Sequence, residues 1–154
     1  MARGDVHWFS SYTLNSGIFT SSVNLATDVI KLAYLTNGTT LSAALADPRW
    51  STGGTTTLSA FEVSTSTGYV TGGSALASVT WTQTGNTVSL SAANVTVAQD
   101  TTGFTTAYWA VGYDNTTANK YGIFFVDLGG PVGISAGALT ITWSSNGIAV
   151  RTNS

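Results

Sequence analysis

Thr106-Ala-Tyr-Trp-Ala-Val-Gly-Tyr113 and Gly122-Ile-Phe-Phe-Val-Asp-Leu128 are the most apolar runs of the chain, separated by Asp114-Asn-Thr-Thr-Ala-Asn119. Both runs are short and apolar on both faces. They are too short for buried helices and rich in aromatic and β-branched residues, which predicts strands that lie centrally in a sheet or in an interface.

Similar patterns recur on either side. Asp28-Val-Ile-Lys-Leu-Ala-Tyr-Leu35 alternates Ile30, Leu32 and Tyr34 against Val29, Lys31, Ala33 and Leu35 before an Asn37-Gly38 turn. Leu58 to Val63 reads as a further strand. From Leu76 to Thr82, Ala77, Val79 and Trp81 alternate with Ser78, Thr80 and Thr82, predicting one dry face. Gly85-Asn86 turns the chain into Thr87 to Ser91, where Val88 and Leu90 face inward, so Trp81 and Val88 are expected in one hairpin. Asn94 to Ala98, then Leu139, Ile141 and Trp143, then Ile148 and Val150 complete about eight to ten short strands. Leu41 to Ala46, stopped by Asp47-Pro48, is the single helical candidate.

The expected fold is therefore all-β, an antiparallel β-sandwich or jelly roll. Residues 1–23, with Val6, His7, Trp8, Phe9, Tyr12, Leu14, Ile18 and Phe19 in no clean period, read as an extended N-terminal arm to a single domain over 24–154. Trp8, Phe9 and Tyr12 are costly to leave in water, so the arm must lie on its own domain, as a first edge strand, or on a neighbouring subunit.

Composition narrows the function. Of 154 residues only 8% are charged, against roughly 25% in an average domain, and Thr and Ser take the polar positions. A net charge of −2 and five basic residues spread along the chain provide no footprint for nucleic acid. A surface so poor in charge resists association weakly, which suits a protein that lives assembled. No stretch has the length of a membrane span, and Met1 to Asp28 lacks an apolar run of secretory type, so the chain reads as made in the cytoplasm.

Catalytic chemistry finds few residues to use. There is no cysteine, and His7, the only histidine, sits in the arm beside Trp8, which by count or by position excludes a Ser-His-Asp triad or a multi-histidine metal site within one chain and leaves out the usual zinc ligand sets. The Asp114 to Asn119 loop could offer oxygen ligands to calcium, although a solvated hairpin loop is the plainer reading. Seven carboxylates, Asp5, Asp28, Asp47, Glu62, Asp100, Asp114 and Asp127, could in principle supply a glycosidase pair, but most fall at strand ends or turns. Asp127 is placed to cap a turn or to pair with Lys31 or Arg49. Trp50, Trp81, Tyr108, Trp109 and Tyr113 could form a carbohydrate platform, with Trp81 and Trp109 in phase with core residues. No cofactor or metal is expected.

Four passages, in order, resemble small β-rich virion proteins of tailed bacteriophages. They are Ser16-Gly17 through Asp28 to Thr36; Gly68-Tyr69-Val-Thr-Gly72-Gly73; Val111-Gly-Tyr-Asp114 before Lys120 to Asp127; and Leu128-Gly129-Gly130 leading to Ala136-Gly137 and Thr142. The Trp-rich arm and the Leu41 to Gly54 segment depart from that pattern. The resemblance implies a β-sandwich that decorates the capsid surface, a cement protein that stabilises the virion as a homotrimer bound to the major capsid protein. It transfers no catalytic residue. On this reading Trp8, Phe9, Tyr12, Tyr108, Trp109 and Phe124 are the interface candidates; the alternative is a receptor- or carbohydrate-binding module of a tail or head fibre.

Overall fold

The computed structural model of the chain describes residues 3–17 and 23–152. Ile18 and Phe19 of the expected arm lie outside these residues. The chain is all-β in the described residues, apart from one helix and one 3₁₀ turn.

The two apolar runs that open the argument form its centre. They become β9 (Ala107–Asp114) and β10 (Gly122–Val132), paired antiparallel. On the far side of β9 lies β2 (Ile30–Leu35), and beyond it the two-residue β5 (Ser74–Ala75). The other edge is β1 (Val6–Trp8), which pairs Val6 with Val126 and Trp8 with Phe124. The order is β1-β10-β9-β2-β5. Residues directly opposite one another share a face. Trp8, Phe124, Gly112 and Leu32 thus lie on one side, and His7, Phe125, Val111 and Ala33 on the other. Both sides are covered: Phe124 meets Trp143, while Phe125 is flanked by His7, Phe9 and Trp109. Two-sided burial is why these strands lack alternation.

Smaller sheets surround this one. β6 (Thr80–Thr84) and β7 (Thr87–Ser91) form the expected hairpin through Gly85-Asn86, and β12 (Ala149–Thr152) pairs with the other side of β7. β8 (Val95–Val97) pairs with β11 (Leu139–Ile141). β3 (Pro48–Arg49) and β4 (Thr56–Thr57) make a short parallel pair.

Of the two readings of the N-terminal segment, the described residues take that of a first edge strand, β1, and add a helix that was not expected, α1 (Ser10–Gly17); Phe9 and Tyr12 join the same buried cluster as Leu32 and Tyr34. Three expectations are corrected. Leu41 to Ala46 is no helix. Its Leu41 is fully buried, and the Ala43 carbonyl accepts the Ser10 N–H (2.8 Å), so a group that would have served a local helix holds the start of α1 instead. Leu58 to Val63 is a 3₁₀ turn over Leu58–Phe61 and not a strand; only Glu62 bridges to Leu35, with the Val63 N–H donating to the Tyr34 carbonyl at 3.0 Å. Leu76 to Thr82 has no dry face. Ala77 and all five residues of β6 are exposed, because β6 is the edge of its sheet and the burial it was expected to share falls on Leu90 of β7.

Candidate functional site

Among the described residues no three His, Cys, Asp or Glu side chains cluster as a metal site would require. The Asp114 carboxylate is turned into its own loop. It is fully buried and accepts the N–H groups of Thr116 (2.8 Å) and Thr117 (3.1 Å) and the Thr117 hydroxyl, an Asx-type closure of the β9–β10 connection. Asp127 accepts the Gly129 N–H at 2.8 Å and so caps the turn where β10 breaks register. Arg49 pairs with Asp47 (2.8 Å), not with Asp127, and covers the Tyr121 ring. His7 stacks on Phe125, with ring centroids 5.3 Å apart.

The interface candidates separate into two groups. Phe9 and Phe124 are fully buried and Tyr12 nearly so, consumed by the chain's own core, which leaves them no surface to offer a partner. Burial, with the nearby charges of Asp114 and Asp28, pushes the Tyr12 phenol up to about 12. Trp8, Tyr108 and Trp109 keep part of their surface. The sugar-platform candidates divide likewise. Trp50 and Tyr113 are stacked face to face at 4.5 Å and buried, so neither ring face is open. Tyr108 and Trp109 are half-buried, and Trp81 is exposed, at 39%.

Around Trp81 the structure assembles a surface patch. Its ring meets Trp8 edge to face at 6.0 Å, and Trp8 stacks on Tyr12 at 5.7 Å. The patch borders β6, Thr80-Trp-Thr-Gln-Thr84, whose outer edge has no neighbouring strand among the described residues. That edge carries no charge and no proline, the usual protections against strand addition. On its outward face Thr82 and Val150 both sit opposite Ser89; Thr82 and Ser89 share a hydroxyl hydrogen bond at 3.2 Å, and Val150 is 43% exposed.

A second concavity, a cleft of about 240 Å³, lies between β1, β10 and β11, with Val6, Val126, Ile141, Trp143 and Ile148 in its walls and Arg3 at one side. Sequence reasoning did not find it, because its lining comes from elements at opposite ends of the chain. No protein-family model matches the chain, and no curated protein and no solved structure matches it.

Proposed function

We propose that this chain is a structural virion protein, a decoration or cement protein that binds the outer surface of a tailed-phage capsid as a homotrimer and stabilises it. The observation that carries this reading is β6, an uncharged edge strand whose five residues are all exposed, with Trp81 upon it. A free monomer normally blunts such an edge with charge, proline or a covering segment. Leaving it bare suits a protein whose edges are covered by its own copies and by the capsid lattice. The low charge of the whole chain and the order of its apolar and glycine-rich passages support the same reading. In this reading the sheets on the Phe124 side and the central sheet form the two layers of a sandwich.

Light scattering on the purified protein tests the assembly. The expected mass is three chains of 15.9 kDa, followed by co-sedimentation with capsids and a raised capsid melting temperature. A monomer that neither pellets with capsids nor protects them overturns the reading. The Trp8–Trp81 pair favours a second reading, a carbohydrate- or receptor-binding module of a fibre, since an exposed indole beside another ring can stack a sugar. Glycan-array binding abolished by Trp81→Ala would establish it.

A further inference from the structure

Asn-Gly occurs twice in the chain, at Asn37-Gly38 and at Asn146-Gly147. This dipeptide is prone to spontaneous loss of the asparagine amide, because glycine puts no side chain in the way of its own nitrogen and lets the backbone turn that nitrogen toward the asparagine. In sequence the two sites are equivalent. The fold separates them.

Gly147 is held on both sides. It is buried at φ +110°, its N–H donates to the Ser144 carbonyl at 2.9 Å, and the next N–H, that of Ile148, donates to the Leu90 carbonyl at 2.7 Å. The Asn146 N–H donates to the Ser144 hydroxyl at 3.2 Å. A Cβ on Gly147 would stand 2.6 Å from the Leu90 carbonyl oxygen, so the turn is pressed against β7. For the Gly147 nitrogen to reach the Asn146 side chain, the Ser144–Gly147 bridge has to open first.

Asn37 and Gly38 are both exposed, in the turn after β2. The Gly38 N–H donates to the Thr36 hydroxyl at 3.3 Å, longer than the usual N–H···O bond, and at an exposed position. Thr36 itself is anchored, its N–H and its hydroxyl both donating to the Phe61 carbonyl, at 2.8 and 3.2 Å. The end of the strand is thus fixed, and the peptide beyond it is tied by a weaker bond than the one that clamps Gly147.

We infer that Asn37 is a site of spontaneous deamidation in the folded protein and that Asn146 is protected. The Gly38 nitrogen gives its proton to hydroxide and forms a bond to Asn37 Cγ; the Cγ–Nδ2 bond breaks, and Nδ2 takes a proton from water and leaves as ammonia, closing a succinimide ring. Water then opens the ring at either carbonyl, giving aspartate or, with the main chain rerouted through the side chain, isoaspartate. The product adds one negative charge to a chain of net charge −2, and isoaspartate inserts an extra methylene into the main chain of the turn. The inference stands apart from the decoration reading.

The test follows both sites at mildly alkaline pH in the folded full-length protein and, in parallel, in the protein unfolded in urea. Trypsin cuts after Lys31, Arg49, Lys120 and Arg151, so residues 32–49 and 121–151 fall in separate peptides, each with a single asparagine. Mass spectrometry reads acid against amide in each peptide, and isoaspartate methyltransferase labelling reads the rerouted form. The expected result is conversion of Asn37 at least about tenfold faster than that of Asn146 in the folded protein, with the two rates within about twofold of each other in urea. Equal rates in the folded protein, conversion at Asn146 ahead of Asn37, or an Asn37 that stays intact while the unfolded chain converts overturns the inference. A difference that persists unchanged in urea assigns it to the neighbouring residues and overturns the role of the fold. Asn37→Gln, whose longer side chain closes the ring far more slowly, is expected to abolish the acidic form seen on isoelectric focusing; an acidic form that persists unchanged overturns Asn37 as its source.

Discussion

Phe124 lies so close over Gly112 of the neighbouring strand that a Cβ on Gly112 would stand 2.2 Å from the Phe124 ring. The two residues are directly opposite one another, and glycine lets the ring settle onto β9 where any side chain would lift it. Gly112→Ala is expected to cost about 1–3 kcal/mol through overpacking, seen as a lower urea midpoint with unchanged slope. Wild-type stability in this variant would show that the ring has room to move.

Acid stability depends in part on Asp100. Its carboxylate accepts the N–H of Gly68 (2.9 Å), the N–H of Thr102 (2.9 Å) and the Thr102 hydroxyl (2.8 Å), and these bonds hold its pKa well below the usual carboxylate range. A depressed folded pKa contributes stability above the unfolded value, about 3.9, and that contribution is lost as pH falls below it. Asp100→Asn is therefore expected to be less stable than wild type at neutral pH, with the difference closing below about pH 4. Parallel melting curves across that range check it.

Alkali acts on the tyrosines. Burial raises the phenols of Tyr12, to about 12, and of Tyr34, Tyr69 and Tyr113 further. Because the folded values lie above the unfolded value near 10, stability is full below about pH 10 and falls as pH rises beyond it. Ultraviolet titration is expected to leave these four silent until the chain unfolds, and then to release them together. Gradual ionisation of all tyrosines in the folded state would contradict their burial.

Charge placed on β6 separates folding from assembly. Thr82→Lys lies at an exposed edge position, so its effect on stability is expected within about 0.5 kcal/mol, while the charge opposes strand addition. Light scattering is expected to show a smaller assembly. An unchanged trimer would move the subunit contacts away from this edge.

How much of this was legible in the sequence follows burial. β2, β9 and β10 were readable because both faces are apolar, and the β6–β7 hairpin because Gly85-Asn86 marks its turn. Trp81 misled for a reason specific to edges: the alternation around it matched a dry face, but a strand with one neighbour covers little of its own surface. Phe9 and Tyr12 were readable as too apolar for water, and of the two places open to them, their own domain or a neighbour, they take the core of their own chain, Phe9 just after β1 and Tyr12 on α1. The cleft between β1, β10 and β11 left no local signal, since its separate segments meet only in the folded state.

The pairing of Val6 with Val126 also bears on the order in which the chain can fold. β1 leaves the ribosome well before its partner strand β10, since Val126 follows Val6 by 120 residues. Closing so long a loop carries an entropic cost before any contact repays it, and sheets built from such distant pairs form slowly. The central sheet cannot be completed before β10 has been made. Its apolar strands must wait, exposed, for β10, which makes nascent chains of this protein natural clients for a chaperone.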